Sequence, residues 1–343
     1  MSPVPFGVGF APNTPAPRVI EAARLAEQLG YDGFWLTDSH LAVREAMVTL
    51  GALAVSTSRI KLGTGVSHLA GRHPSVLASA MATLHELAPA RIRLGIGVGD
   101  SGPINLGVPR TTLNDLESAV RSIRQLLRGE EVLGPTRSIR LNYVQKRDES
   151  PVPIYVAGTG QRALRMAGRV ADAALVSAMP DALKASIDEV RQGEQDAGRP
   201  AGSTKILFWT TTAVDEDRDA ARSAVRGSVA RRAMNTFARA AREGSLEPAE
   251  AEAFERLQAA HKQGYLWDTG YTDLVPERWV DRFAVAGTPA EVRAKLEQAV
   301  RDGADEIAMI LMSTSGSRGS ADQLERFAAT VMAPMRASAP SSH

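Results

Sequence analysis

The amino-acid sequence predicts an α/β fold, a (β/α)8 TIM barrel with a helical insertion between strands 7 and 8. Three observations carry this expectation. Eight short apolar runs recur at strand length, the stretches between them have the 3.6-residue periodicity of amphipathic helices, and Gly30 and Gly303 punctuate helix ends just before new strands. Eight consecutive β-then-α units with right-handed crossovers favour closure into a barrel, with an open doubly wound sheet as the structural alternative.

The first unit is a strand at Phe6–Phe10 and a helix at Pro17–Leu29. Gly33–Thr37 with Arg44–Ser56, Ile60–Val66 with Pro74–Leu87, and Ile92–Ile96 with Leu113–Leu127 supply the next three. Gly129–Ser150 then interrupts the pattern. Its Gly-Pro step and the alternation of Ser138-Ile139-Arg140-Leu141-Asn142-Tyr143 suggest a small hairpin. Val152–Ala157 with Gln161–Val170 and Ala173–Ser177 with Ala182–Ala197 resume it, and Ile206–Ala213 is the seventh strand. Asp215–Arg282, rich in alanine, arginine and glutamate, reads as a helical insertion. A helix at Pro289–Arg301, the eighth strand at Glu306–Met312 and a last helix at Ala321–Met335 close the chain. Residues 1–336 are therefore expected to be one barrel domain, with 337–343 a loose tail.

The chain's 343 residues, 44% of them hydrophobic and 23% charged, suit a globular protein with a large core. A formal charge of +1 without long like-charge blocks points to small-molecule partners rather than nucleic acid. With no cysteine, disulfides, thiolate metal sites and cysteine nucleophiles are excluded. No apolar window approaches membrane-spanning length and the N-terminus has no basic-then-apolar leader, so a cytoplasmic protein is expected.

In such barrels the βα loops at the C-terminal ends of the strands carry function. The second strand ends in Trp35-Leu36-Thr37-Asp38-Ser39-His40, bringing an acid, a hydroxyl and an imidazole to the mouth. The bland alternative is a helix N-cap by Asp38 or Ser39. The third strand runs through Gly63-Thr64-Gly65-Val66-Ser67-His68 and the fourth through Gly95-Ile96-Gly97-Val98-Gly99-Asp100. Glycines there suggest a bulge or room for a flat ligand. The turn Gly158-Thr159-Gly160-Gln161-Arg162 before a helix suits a phosphate, with an ordinary tight βα turn as the alternative.

Two G-x-G-x-x-G/A matches, at Gly97–Gly102 and Gly158–Ala163, lack a dinucleotide domain's context. Asp172 lies at the wrong end of the next strand, and no immediate helix is expected after Gly102. None of the six histidines falls in an H-x-x-x-H or H-E-x-x-H pattern, so no metal is expected, and there is no G-x-S-x-G elbow. His73, directly before Pro74, reads as structural.

The run from Phe6 to Gly107 resembles the luciferase-like superfamily, most closely its methylene-tetrahydromethanopterin-reductase-like branch. The resemblance lies in Ala26-Glu27-Gln28-Leu29-Gly30-Tyr31-Asp32, Trp35-Leu36-Thr37-Asp38, Ile60-Lys61-Leu62-Gly63-Thr64-Gly65-Val66, Arg72-His73-Pro74 and Gly95-Ile96-Gly97-Val98-Gly99-Asp100. It continues thinly through Gly160–Asp172 and Gly287–Val292, and does not reach Asp215–Arg282.

The resemblance implies a cofactor ring against a third-strand bulge with a cis Gly65–Val66 peptide, and a cofactor phosphate at Gly158–Arg162. It thus points to Thr64, Gly65, Val66, Ser67, Gly99, Asp100, Gly158, Thr159, Gly160, Gln161 and Arg162 for the cofactor, with Asp38 and His40 as the polar pair near the reacting carbon. The implied cofactor is the 8-hydroxy-5-deazaflavin coenzyme F420, exchanging hydride with a small organic substrate. The alternatives are an FMN-dependent monooxygenase fed by a separate flavin reductase, and a flavin-binding relative without catalysis. A homodimer is implied as well. Where many relatives have histidine directly after the acid, this chain has Ser39, with His40 one place later. Tyr265, Trp267 and Tyr271 of the insertion line the pocket or pack the insertion onto the barrel.

Overall fold

The computed structural model describes residues 3–134, 136–177, 182–260, 272–314 and 321–338. Strands β1 (Phe6–Phe10), β2 (Gly33–Leu36), β3 (Lys61–Thr64) and β4 (Ile92–Ile96) alternate with helices α1 (Ala16–Gln28), α2 (Ala46–Ser56) and α3 (Pro74–Leu87). A short α4 (Ser101–Leu106) and α5 (Leu113–Leu127) follow, then an antiparallel hairpin of β5 (Val132–Leu133) and β6 (Ser138–Ile139). β7 (Ile154–Gly158), α6 (Gln161–Val170), β8 (Ala173–Val176), α7 (Leu183–Asp196) and β9 (Lys205–Val214) resume the alternation. α8 (Arg218–Arg242), α9 (Pro248–Ala260) and α10 (Glu277–Phe283) form the insertion. β10 (Ala284–Gly287), α11 (Pro289–Arg301), β11 (Glu306–Leu311), α12 (Ala321–Phe327) and α13 (Ala333–Ala337) complete the order.

Eight strands close in parallel as β9-β11-β1-β2-β3-β4-β7-β8 and back to β9, so the expected (β/α)8 barrel is present. β10 was not expected. It lies outside the ring, pairing with Thr211–Val214 of β9, because that strand outruns its barrel partners. A four-residue apolar run carries too little periodicity to be told from the end of α10. The last helix is also divided, since a π-turn at Ala328–Met332 joins α12 to α13. The tail beyond Ser338 and the aromatic residues at 265, 267 and 271 lie outside the described residues.

Alternation along the strands separates two cores. Phe34 and Leu36, with Phe208 and Val176, face the helices, whereas Trp35, Tyr155, Leu175, Leu207 and Trp209 pack together inside the barrel. The Trp35 ring meets both Tyr155 (centroids 5.1 Å apart) and Trp209 (6.5 Å), joining strands that are not neighbours across the lumen.

At the barrel's N-terminal face one device recurs. Asp32, Asp172 and Asp305 each precede a strand, and each carboxylate accepts a backbone N–H from the first or second residue of the neighbouring strand, at Phe6 (2.7 Å), Ile154 (2.7 Å) and Ile206 (2.8 Å). The donors left over where a strand begins are thereby satisfied. Asp172, out of place for ribose recognition, thus has a structural task. On the outside, α6 and α7 cross closely enough that a Cβ on Gly193 would fall on the Arg165 backbone carbonyl and one on Gly168 would fall on that of Val190.

Candidate active site at the mouth of the barrel

The chain leaves β2 at Leu36 and turns back before α2, whose N-cap is Glu45, its carboxylate accepting from Val48 N–H. Asp38 and Ser39 are therefore not the cap, and the acid is free for other partners. Asp38 is buried at 7% exposure, and its Oδ2 accepts from Ser67 Oγ (2.6 Å) and Arg72 Nη1 (2.5 Å). Arg72 also reaches Glu45. Burial opposes the Arg72 charge, but the carboxylates of Asp38 and Glu45 outweigh it and hold its pKa above the ordinary value.

His40 and His68 form the second half of the cluster. His40 Nδ1 stands 3.2 Å from His68 Nε2 and 3.9 Å from Asp38 Oδ1. Two contacts fix the pair from above: Asn105 Nδ2 donates to the His40 carbonyl (2.7 Å), and the hydroxyls of Ser39 and Ser101 are hydrogen-bonded. Both Ser101 and Asn105 belong to α4. This helix corrects the expectation that none follows Gly102. Pro103 is tolerated in its first turn, and Gly107 ends it at φ +66°. Gly102 packs directly on the His68 ring, leaving no room for a Cβ.

His68 is almost wholly buried, its Nδ1 finds no partner among the described residues, and burial pushes its pKa below the ordinary histidine value against the opposing pull of Asp38. It is the residue that sequence reasoning missed. Its signal was its place directly after the third strand, beside the residues that were chosen.

The proposed cofactor residues divide by availability. Gly65–Val66 is a cis peptide and half-exposed at the mouth, as expected. Thr64 and Ser67 are fully buried, and their hydroxyls are spent on the Gly95 carbonyl (2.6 Å) and on Asp38, so they shape the floor without facing a ligand. The strand glycines also have an internal reason. A Cβ at Gly63 would lie 2.7 Å from the Trp35 ring and one at Gly65 2.5 Å from that of Trp209, so the space read as room for a flat ligand is filled by two indoles. Gly99 is half-buried with φ +83°, and the exposed Asp100 pairs with Arg110 and accepts from Asn235 (3.1 Å).

At β7 the buried Gly158 packs on the first turn of α6, while Thr159, Gly160, Gln161 and Arg162 are exposed. Gly160 is the N-cap, with no side-chain cap and open space where its Cβ would be, so the first N–H groups of α6 point at an unobstructed surface. That is the geometry a phosphate requires. The structure thus keeps the predicted sites as two groups: the Asp38–His40 cluster with Gly65–Val66, and the α6 cradle.

Asp38, His40 and His68 also offer donor atoms within 4.8 Å of one another, the geometry of a small metal site. No local spacing could reveal this, because two loops supply the ligands. The Arg72 guanidinium on the Asp38 carboxylate places a positive charge where a cation would be held, which disfavours that use.

Comparison with known proteins agrees with this architecture. The structure of coenzyme F420-dependent tetrahydromethanopterin reductase from Methanopyrus kandleri superposes with a TM-score of 0.83 at 24% identity, covering 97% of this chain and all of that one. The 5,10-methylenetetrahydromethanopterin reductase of Methanolobus tindarius is 28% identical over 306 residues, 88% of this chain and 92% of its own. The F420-dependent glucose-6-phosphate dehydrogenase of Beutenbergia cavernae is 40% identical over 163 residues, 43% of this chain and 48% of its own. The profile of the luciferase-like monooxygenases matches residues 3–306. The chain belongs to the luciferase-like monooxygenase family.

Proposed function

We propose that the protein is an oxidoreductase that exchanges a hydride between coenzyme F420 and a small organic substrate at the mouth of the barrel. The observation that carries this reading is the His40–His68 pair, held beside the half-exposed Gly65–Val66 peptide and backed by the buried Asp38 carboxylate. A relative named for F420 chemistry aligns with 43% of this chain in sequence, and a structure named for it superposes on 97%.

The residues present suit such a coenzyme. The uncapped N-terminus of α6, with Gly160 open and Arg162 beside it, would take the phosphate, and Val66 with Gly99 would border the ring. When bound, the coenzyme supplies the two-electron hydride, and the protein's task is the matching proton. His40 and His68 share one hydrogen bond, so a single mobile proton can reside on His40 Nδ1 or His68 Nε2. Asp38 favours its presence, whereas burial disfavours added charge on His68. In substrate reduction the carbon gains the hydride and the adjoining heteroatom the proton. Oxidation runs the same transfers backwards.

Titrating the purified protein with F420 and separately with FMN tests this. Micromolar affinity for F420 with none for FMN is expected. The reverse would overturn it and favour the FMN monooxygenase with its reductase, while binding without turnover across a substrate panel would favour a non-catalytic relative. The same reading includes a cytoplasmic homodimer. Among the described residues no helix is long and apolar enough to cross a membrane. The apolar α2 exposes Val48 (76%) and Val55 (69%) beside Val76 of α3, a face suited to a second subunit and checked by sedimentation.

A further inference from the structure

The insertion helix α8 lies across the barrel mouth, and three of its residues on one face, Ser228, Arg232 and Asn235, reach the ends of three strands. Ser228 Oγ contacts Met312 Sδ (3.8 Å) after β11, Asn235 Nδ2 donates to Asp100 Oδ2 (3.1 Å) after β4, and Arg232 meets Ser177 after β8. Arg232 Nη1 donates to Ser177 Oγ (2.8 Å) and Nη2 to the Ser177 carbonyl. These two acceptors are neutral and take only part of what the guanidinium's five N–H groups can donate.

Three other arginines, in the first half of the helix, are paired with carboxylates. Arg218 pairs with Glu291, Arg222 with Glu277 and Asp281, and Arg226 with Glu277. Among the described residues no carboxylate lies within ion-pair distance of Arg232, although burial pushes its pKa down to about 10. A guanidinium stays charged under physiological conditions, and a charge withdrawn from water without a counter-ion is unfavourable unless something else supplies one. The planar fork matches the oxygens of a carboxylate or phosphate.

The geometry points to Arg232 as the receptor for an oxyanion on the substrate, so that the organic substrate class is anionic, bearing a carboxylate or phosphate held against the end of β8. This rests on the oxidoreductase reading for the word substrate, but the oxyanion site itself stands on Arg232. Such an anion has a second possible source, the coenzyme's own phosphate. The α6 cradle on the neighbouring strand β7 already provides for that group.

Calorimetric titration with inorganic phosphate and with malonate, at constant ionic strength, tests the assignment on the protein saturated with F420 and on the coenzyme-free protein. Saturable binding is expected in both, weakened about tenfold or more by Arg232→Gln, less by Arg232→Lys, and unaffected by the exposed Arg18→Gln. Equal affinity in wild type and Arg232→Gln would overturn the proposal, as would no saturable binding in the wild type. Anion binding that F420 abolishes would assign Arg232 to the coenzyme and overturn the substrate role. Should Arg232→Gln fail to fold, as judged by circular dichroism, the lysine variant and the wild-type titrations still decide. If F420 does not bind at all, the oxidoreductase reading fails separately, while the coenzyme-free titration continues to test the oxyanion site.

Discussion

His40 Nδ1 lies 3.2 Å from His68 Nε2, with the two ring centroids 4.9 Å apart, in a contact assembled from the loops after β2 and β3. Paired imidazoles sharing one hydrogen bond cannot both be protonated without repulsion, so the pair behaves as one proton-holding unit.

If that unit handles the substrate proton, His40→Ala should lower kcat by about a hundredfold or more while leaving the coenzyme dissociation constant nearly unchanged. Steady-state kinetics beside a coenzyme titration checks this. Undiminished turnover in the variant would remove His40 from the mechanism.

A second expectation concerns pH and stability. Burial lowers the pKa of His68, and likewise that of His85, so below the ordinary histidine value of 6.5 the unfolded chain binds more protons than the folded one. The stability held by the neutral rings is complete above that pH and is lost as pH falls through the folded-state values. Urea unfolding at pH 7.5 and 5.5 should show a loss on acidification, part of which His68→Asn removes. The idea is lost if the variant has the same pH slope as the wild type.

The α6 cradle makes a simpler prediction. Arg162 is exposed and shows no hydrogen bond among the described residues, so Arg162→Ala should leave the melting temperature unchanged and weaken F420 binding by roughly tenfold. An unaltered dissociation constant from fluorescence titration would count against a phosphate there.

Between the outer helices, Gly193→Ala should destabilise the fold by about 1–3 kcal/mol, since its Cβ would fall on the Arg165 backbone carbonyl and force α6 and α7 apart. Denaturant unfolding measures this directly, and a neutral effect would show that the two helices can separate at little cost.

Much of this architecture was legible residue by residue. Strands such as Phe6–Phe10, recovered with the expected ends, are continuous apolar runs because both faces of a parallel sheet are buried. Asp38 and His40 were recognisable because a polar cluster directly after an apolar strand must sit at its end. β10 and α4 were not legible, being too short for periodicity to accumulate, and their places are set by what they pack against: β9 in one case, His68 in the other.

Local sequence therefore determined the eight-unit barrel, the polar cluster at its mouth and the glycine turn that starts α6, because each depends on patterns within a few residues. Tertiary structure alone decided which side chains meet. It paired His40 with His68 across 28 residues, spent Thr64 and Ser67 on internal partners, filled the strand glycines with Trp35 and Trp209, and carried Arg232 to Ser177 across 55 residues. Such contacts follow from barrel closure, which brings together loops whose separation along the chain bears no relation to their distance in space.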